Sequence, residues 1–245
     1  MNQSRHVHRS VALDKKQGPP ADFVPRKIKV VSIGDSLTEG VGDSTNLGGY
    51  IPSLKKDLEQ LKSIKEAEFH NFGVKGNKTG QLIDRLKKPE VRAAIEEADM
   101  VIITIGGNDI MQIFRDHFSS LQVDTFKAAE KGYKTRLDDI FGTIRGYNES
   151  AQIVLVGIYN PFMKWFSDIR EVDEIVSGWN DAAIEVMSRY PKSTFVPVAD
   201  IFEQHGESIL YSDYFHPNDR GYKLMAERIF QQITSDDEVN VWESE

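Results

Sequence analysis

Cysteine is absent from the 245-residue chain, which removes disulfide scaffolds, zinc ribbons and thiolate nucleophiles from consideration. No run approaches the roughly 20 apolar residues needed to cross a bilayer, and the opening MNQSRHVHRSVALDKKQGPPADFVPRK has no apolar core of the signal-peptide kind. Positive charge is in short supply: 30 Lys and Arg face 38 Asp and Glu, for a formal net charge of −8. That balance argues against a nucleic-acid partner, because gripping phosphates needs a basic surface. With 40% apolar residues, the chain is long enough for one large core, and an acidic soluble enzyme of one folded domain is the expectation.

Residues 1–26 are polar, basic and interrupted by Gly18, Pro19 and Pro20, and read as a flexible tail or linker. Either of two locations would produce such a tail: an envelope enzyme without its membrane anchor, or a cytoplasmic protein with a loose end. From residue 27 short apolar runs alternate with longer amphipathic segments. The runs are Ile28–Ile33, Ala67–Phe72, Asp99–Ile105, Gln152–Ile158 and Thr194–Val198. Three of them are nearly continuous and β-branched, as strands buried on both faces of a parallel sheet should be. Helices are expected over 50–63, 79–97, 119–146, 168–190 and 218–233. This order predicts an α/β fold, a three-layer α/β/α arrangement around a mostly parallel five-stranded sheet. The domain should cover 27–234, followed by an acidic tail over 235–245.

In such a sheet ligands bind beyond the carboxyl ends of the strands. The residues there are Gly34-Asp35-Ser36-Leu37, Gly73-Val74-Lys75-Gly76-Asn77 and Gly106-Gly107-Asn108-Asp109, with Asp213-Tyr214-Phe215-His216-Pro217 just before the last helix. Singly, each has an ordinary structural explanation: a helix-capping serine, turn glycines, a loop histidine. Jointly they supply what serine acyl transfer needs. A hydroxyl nucleophile requires a base, the base an orienting carboxylate, and the tetrahedral oxyanion requires donors already in place. Ser36, His216 and Asp213 suit the first three roles. The Asn108 amide and the backbone N–H groups of Gly76 and Ser36 suit the fourth.

The four blocks IGDSLTEG, NFGVKGNKT, IGGNDI and SDYFHPNDRGY resemble those of the SGNH hydrolases, also called GDSL lipases or esterases. They occur in order over residues 32–222, essentially the whole expected domain. The resemblance implies the flavodoxin-like SGNH fold, Ser36 as nucleophile, Gly76 rather than Gly73 as an oxyanion donor, Asn108 as another, and an Asp213–His216 pair. It departs from the family pattern at Asn77, where many members carry an aspartate. A second Gly42-Asp43-Ser44 follows no apolar strand, so Ser44 is read as a surface-loop residue. The GVGD and GGY segments resemble the lipase or acylhydrolase-like branch, whose members often carry an amino-terminal membrane anchor.

Asp35 is expected to anchor the turn at Ser36 rather than react. The aromatic stretch 159–166 offers Tyr159, Phe162 and Trp165 either as walls of an acyl pocket or as a cap on the core. Ile110, Met111, Ile113 and Phe114 pose the same choice and are read as core. The expected activity is metal-independent hydrolysis of lipid or other small acyl esters, with no cofactor, no metal, a small-molecule ester as partner and no obligate protein partner. A carbohydrate O-acetylesterase with the same residues is the nearest alternative. A non-catalytic flavodoxin-like binding module is the alternative of another class, although neither a phosphate loop nor a dinucleotide fingerprint occurs. No His-Glu-x-x-His helix supports a metallohydrolase.

Overall fold

The computed structural model describes residues 24–117, 122–160 and 170–235. Five strands, β1 (Arg26–Gly34), β2 (Ile64–Gly73), β3 (Met100–Thr104), β4 (Gln152–Val156) and β5 (Ser193–Val196), form one sheet in the order β2-β1-β3-β4-β5. Every neighbouring pair is parallel. The helices are α1 (Ser36–Glu39), α2 (Ile51–Leu58), α3 (Thr79–Leu86), α4 (Pro89–Glu96), α5 (Gly107–Asp116), α6 (Val123–Tyr147), α7 (Arg170–Met187), α8 (Ala199–His205) and α9 (Asp219–Ser235). A 3₁₀ turn covers Gly206–Ile209.

Alternation along β1 sends successive side chains to opposite faces. Val31 and Ile33 join the core under α3, α4, α6 and α7, whereas Ile28 and Val30 join the core under α2, α8 and α9. All four are fully buried, each contributing about 1.5–3 kcal/mol relative to exposure. The sheet is thus covered on both faces, the three-layer arrangement expected from the uninterrupted apolar runs.

Several boundaries differ from those expected, for identifiable reasons. The segment 79–97 is two helices, because Lys88 precedes Pro89 and takes an extended conformation (φ −67°, ψ 134°) that ends a helix. The helix expected over 50–63 stops at Leu58, and β2 starts at Ile64 instead of Ala67. Because β2 lies at the sheet edge, the charged Lys65 and Glu66 remain exposed or half-exposed within it. Helix α5 begins directly at the glycine pair after β3, and Ile110 on it is buried with Met111, Ile113 and Phe114 packed against the same cluster. These four are therefore core. No helix among the described residues is long and apolar enough to cross a membrane.

Candidate active site

Strand order places the topological switch at β1, whose two neighbours are reached by connections running to opposite sides. Ser36 stands just past the end of β1 and opens α1. Its position is held from below by Asp35, the N-cap, whose carboxylate accepts from the Leu37 N–H (3.0 Å) and the Thr104 hydroxyl (2.9 Å). Thr104 also meets the Thr38 hydroxyl (2.8 Å), and Thr38 meets Tyr50 (3.2 Å). This buried polar chain ties the turn to β3 and α2. Burial pushes the Asp35 carboxyl up to about 7, with the Leu37 N–H and the Thr104 hydroxyl acting against the rise. Asp35 is a turn anchor, as the sequence suggested.

His216 approaches from the loop before α9. Its Nε2 lies 2.8 Å from the Ser36 Oγ, and its Nδ1 lies 2.7 Å from Asp213 Oδ2. The second Asp213 oxygen accepts the backbone N–H groups of Phe215 and His216, both at 3.0 Å. One carboxylate oxygen is thus committed to the loop, and the other faces the imidazole. Burial works against the charged carboxylate, but the His216 imidazole and these N–H donors outweigh it and hold Asp213 below its ordinary range. His216 is buried (8% side-chain exposure), whereas Asp213 is 39% exposed, so the pair has one face in the pocket and one toward water.

Asn108 occupies the second position of α5, and its amide donates to the Asn77 carbonyl (3.1 Å), leaving one N–H of that amide available. Asn77 N–H in turn donates to the Val74 carbonyl (3.1 Å), closing a turn with Gly76 at its third position. Gly76 has φ +77°, which that turn requires and a side chain would strain. By contrast, Gly73 lies against α1, where a Cβ would overlap the Glu39 backbone nitrogen. The two glycines chosen between on sequence therefore do different things: Gly73 permits close packing, and Gly76 shapes the loop beside Asn108. The Ser36 N–H, at the first position of α1, is of the class a helix leaves unpaired.

Side chains not singled out from sequence hold these loops. Asp109 is buried and accepts from the Thr79 N–H (3.0 Å), the Thr79 hydroxyl (2.6 Å) and Arg136 (3.2 Å). It thereby fixes the start of α5, which carries Asn108, to the start of α3, which follows Asn77. Arg85 donates to the carbonyls of Gly34 (3.1 Å) and Phe72 and to the Asn77 side chain (3.1 Å), so the residue that departs from the family pattern has a defined partner. The only advance signal was that Asp109 follows Asn108 directly.

A pocket adjoins the serine, with a cavity volume of about 30 Å³. Its wall includes Ser36, Leu37, Ile105, Asn108, Val156, Ile158, Tyr159 and Phe215. Tyr159 is in this wall but strongly constrained: its ring stacks on Phe202 with centroids 3.7 Å apart, and its hydroxyl donates to the Phe215 carbonyl (2.6 Å). Of the aromatic stretch, Phe162 and Trp165 lie outside the described residues. Among the described residues no cluster of three or more His, Asp or Glu side chains could hold a metal ion.

A family model described as "GDSL-like Lipase/Acylhydrolase family" matches residues 32–224. The chain belongs to this family. It is 38% identical over 208 residues to the uncharacterized protein YpmR of Bacillus subtilis, a match covering 84% of this chain and 81% of that protein. It is 27% identical over 207 residues to the spore germination lipase LipC of Bacillus licheniformis, covering 82% and 94%. The crystal structure of the lipase Lip_vut3 from a goat rumen metagenome superimposes with a TM-score of 0.74 at 25% identity, covering 82% of this chain and 95% of that one. By family, this is a GDSL-type acylhydrolase or esterase with the SGNH hydrolase fold.

Proposed function

We propose that the chain cleaves carboxylic esters of lipids or other small acyl compounds through an acyl-enzyme on Ser36. The reading is carried by the relay Ser36–His216–Asp213, with both hydrogen bonds within 2.8 Å, opening onto a pocket with a largely apolar wall. For His216 Nε2 to accept the Ser36 proton, Nδ1 must bear its hydrogen, and Asp213 Oδ2 is positioned to hold that tautomer. The serine oxygen then bonds to the ester carbonyl carbon, and the carbonyl oxygen takes the negative charge. The Ser36 and Gly76 N–H groups and the free Asn108 amide hydrogen are the donors assigned to that oxygen. His216 gives its proton to the alcohol as the bond from the alcohol oxygen to the carbonyl carbon breaks, leaving the acyl group on Ser36. In a second half-cycle His216 takes a proton from water as the water oxygen attacks the acyl carbon, then returns it to Ser36 as the serine ester breaks and the acid leaves.

Acetylated carbohydrate stands within the proposal beside lipid esters, since the same residues would serve either class of ester. A chromogenic short-chain ester assayed with the native protein and with Ser36→Ala tests the reaction; equal turnover by both would sink it. Varying acyl length on one alcohol, alongside acetylated saccharides, then separates the two substrate classes.

A further inference from the structure

We propose that Ser44 and Asp219 are positioning residues that set the reach of His216 to Ser36. The inference rests on the assignment of those two residues to catalysis. Asp213 cannot supply this positioning, because it sits three residues from His216 on the same loop and moves with it. Something must join that loop to the segment carrying Ser36.

That segment continues from α1 into 40–49. The N–H groups of Gly40 and Val41 both donate to the Ser36 carbonyl at 3.0 Å, so the loop is bound to the serine itself. Asp43 gives it a fixed shape. One Asp43 oxygen accepts the Thr45 N–H (2.9 Å) and hydroxyl (2.6 Å), and the other accepts the N–H groups of Leu47 (3.0 Å) and Gly49 (3.1 Å). Ser44, beside this hub, grips Asp219 with both of its donors: the N–H to Oδ1 (2.8 Å) and the hydroxyl to Oδ2 (2.6 Å). Asp219 is three residues past His216.

Two neighbouring contacts follow the same line. Tyr222 donates its hydroxyl to the Val41 carbonyl (2.7 Å), and the missing side chain of Gly42 admits the Pro217 carbonyl oxygen, which a Cβ would overlap. The duplicate Gly-Asp-Ser is thus a folded hub, with its aspartate turned inward and its serine turned to the histidine loop. Ser44 and Asp219 are both exposed, so their role is to select one docking of two loops rather than to build the core.

The test is Asp219→Ala, which removes both acceptors, with Ser44→Ala, which removes only the hydroxyl, and Ser44→Thr, which restores a hydroxyl. The readouts are kcat, KM and the rate of fluorophosphonate attachment at Ser36. A displaced base costs rate far more than binding, so Asp219→Ala should lose roughly ten- to a hundredfold in kcat and in labelling rate, with KM within about twofold. Ser44→Ala should lose less, Ser44→Thr should recover that loss, and the double alanine variant should be no worse than Asp219→Ala alone, since both remove one contact. An Asp219→Ala protein with native kcat and labelling rate overturns the proposal, as does a change confined to KM. Should Asp219→Ala not fold, the Ser44→Ala and Ser44→Thr pair decides by the same comparison. A native protein that neither turns over esters nor takes the label overturns the ester-hydrolase reading instead. Crystal structures then decide the clasp: separation of the Ser36 Oγ from the His216 Nε2 in Ser44→Ala supports it, and an unchanged 2.8 Å contact refutes it.

Discussion

The two halves of the site are built by different means. Ser36 and Asn108 stand at helix starts immediately beyond β1 and β3, so the register of a buried parallel sheet sets their positions. His216 and Asp213 stand on a loop outside regular structure. That loop is located by individual bonds: the Tyr211 N–H to the His216 carbonyl (2.7 Å), the Tyr159 hydroxyl to the Phe215 carbonyl and the Asn218 N–H to the Ile209 carbonyl (2.9 Å). The end of an interior strand is stiff because many backbone bonds and buried side chains share the load. A loop held by a few contacts responds to the loss of any one. The half carrying Ser36 should therefore tolerate change around it, and the half carrying His216 should register distant substitutions as lost rate.

The sharpest probe of the first half is Ser36→Ala, expected to lower kcat on the order of 10⁶-fold with the fold intact, as read by turnover and circular dichroism. In the second half, Asp213→Asn keeps the size of the side chain but permits the wrong imidazole tautomer. It should cost about 10⁴-fold in kcat, and a loss below tenfold would remove Asp213 as the group that orients the imidazole. Returning to the sheet-borne half, Asn108→Ala should cost about 10²–10³ in kcat with little change in KM, the mark of a donor used in the transition state. Asp109→Ala touches no reacting atom but strips Thr79 and Arg136 of their shared acceptor. It should lower stability by about 2 kcal/mol in urea denaturation, a value reduced because Arg136 reaches solvent.

The last prediction concerns Asp35 and is read on the pH dependence of stability rather than on rate. Its carboxyl is raised from 3.8 to about 7 by burial, so the native state holds a proton there that the unfolded chain has released. Its contribution to stability is complete below about pH 4 and declines as pH rises toward about 7. Melting temperature followed across that window should fall less steeply with rising pH in Asp35→Asn than in the native protein. Equal slopes would remove Asp35 as the source.

This division also explains what was legible in the sequence. IKVVSI and DMVIITI announce buried parallel strands because both faces are apolar, and the residues just past them include Ser36 and Asn108. The chemistry of the second half was legible only as Asp213 and His216 three apart. What aims them at Ser36 was not, since Ser44 and Asp219 lie far apart in sequence and each is an ordinary polar loop or helix-start residue. Asp109 was hidden for the same reason: its partners Thr79 and Arg136 come from two other helices. The break at Lys88–Pro89 was readable from the proline rule, but the apolar spacing of Leu82, Leu86, Val91 and Ile95 runs through it and suggests one helix.

The central claim is that Ser36 is an activated nucleophile while Ser44, in the second Gly-Asp-Ser triplet, is not. The most direct measurement is treatment of the folded protein with a fluorophosphonate, followed by peptide mass spectrometry. One adduct on the peptide position of Ser36, lost in His216→Ala and in heat-unfolded protein, is the predicted result. Absence of any adduct, or an adduct on Ser44, would contradict it.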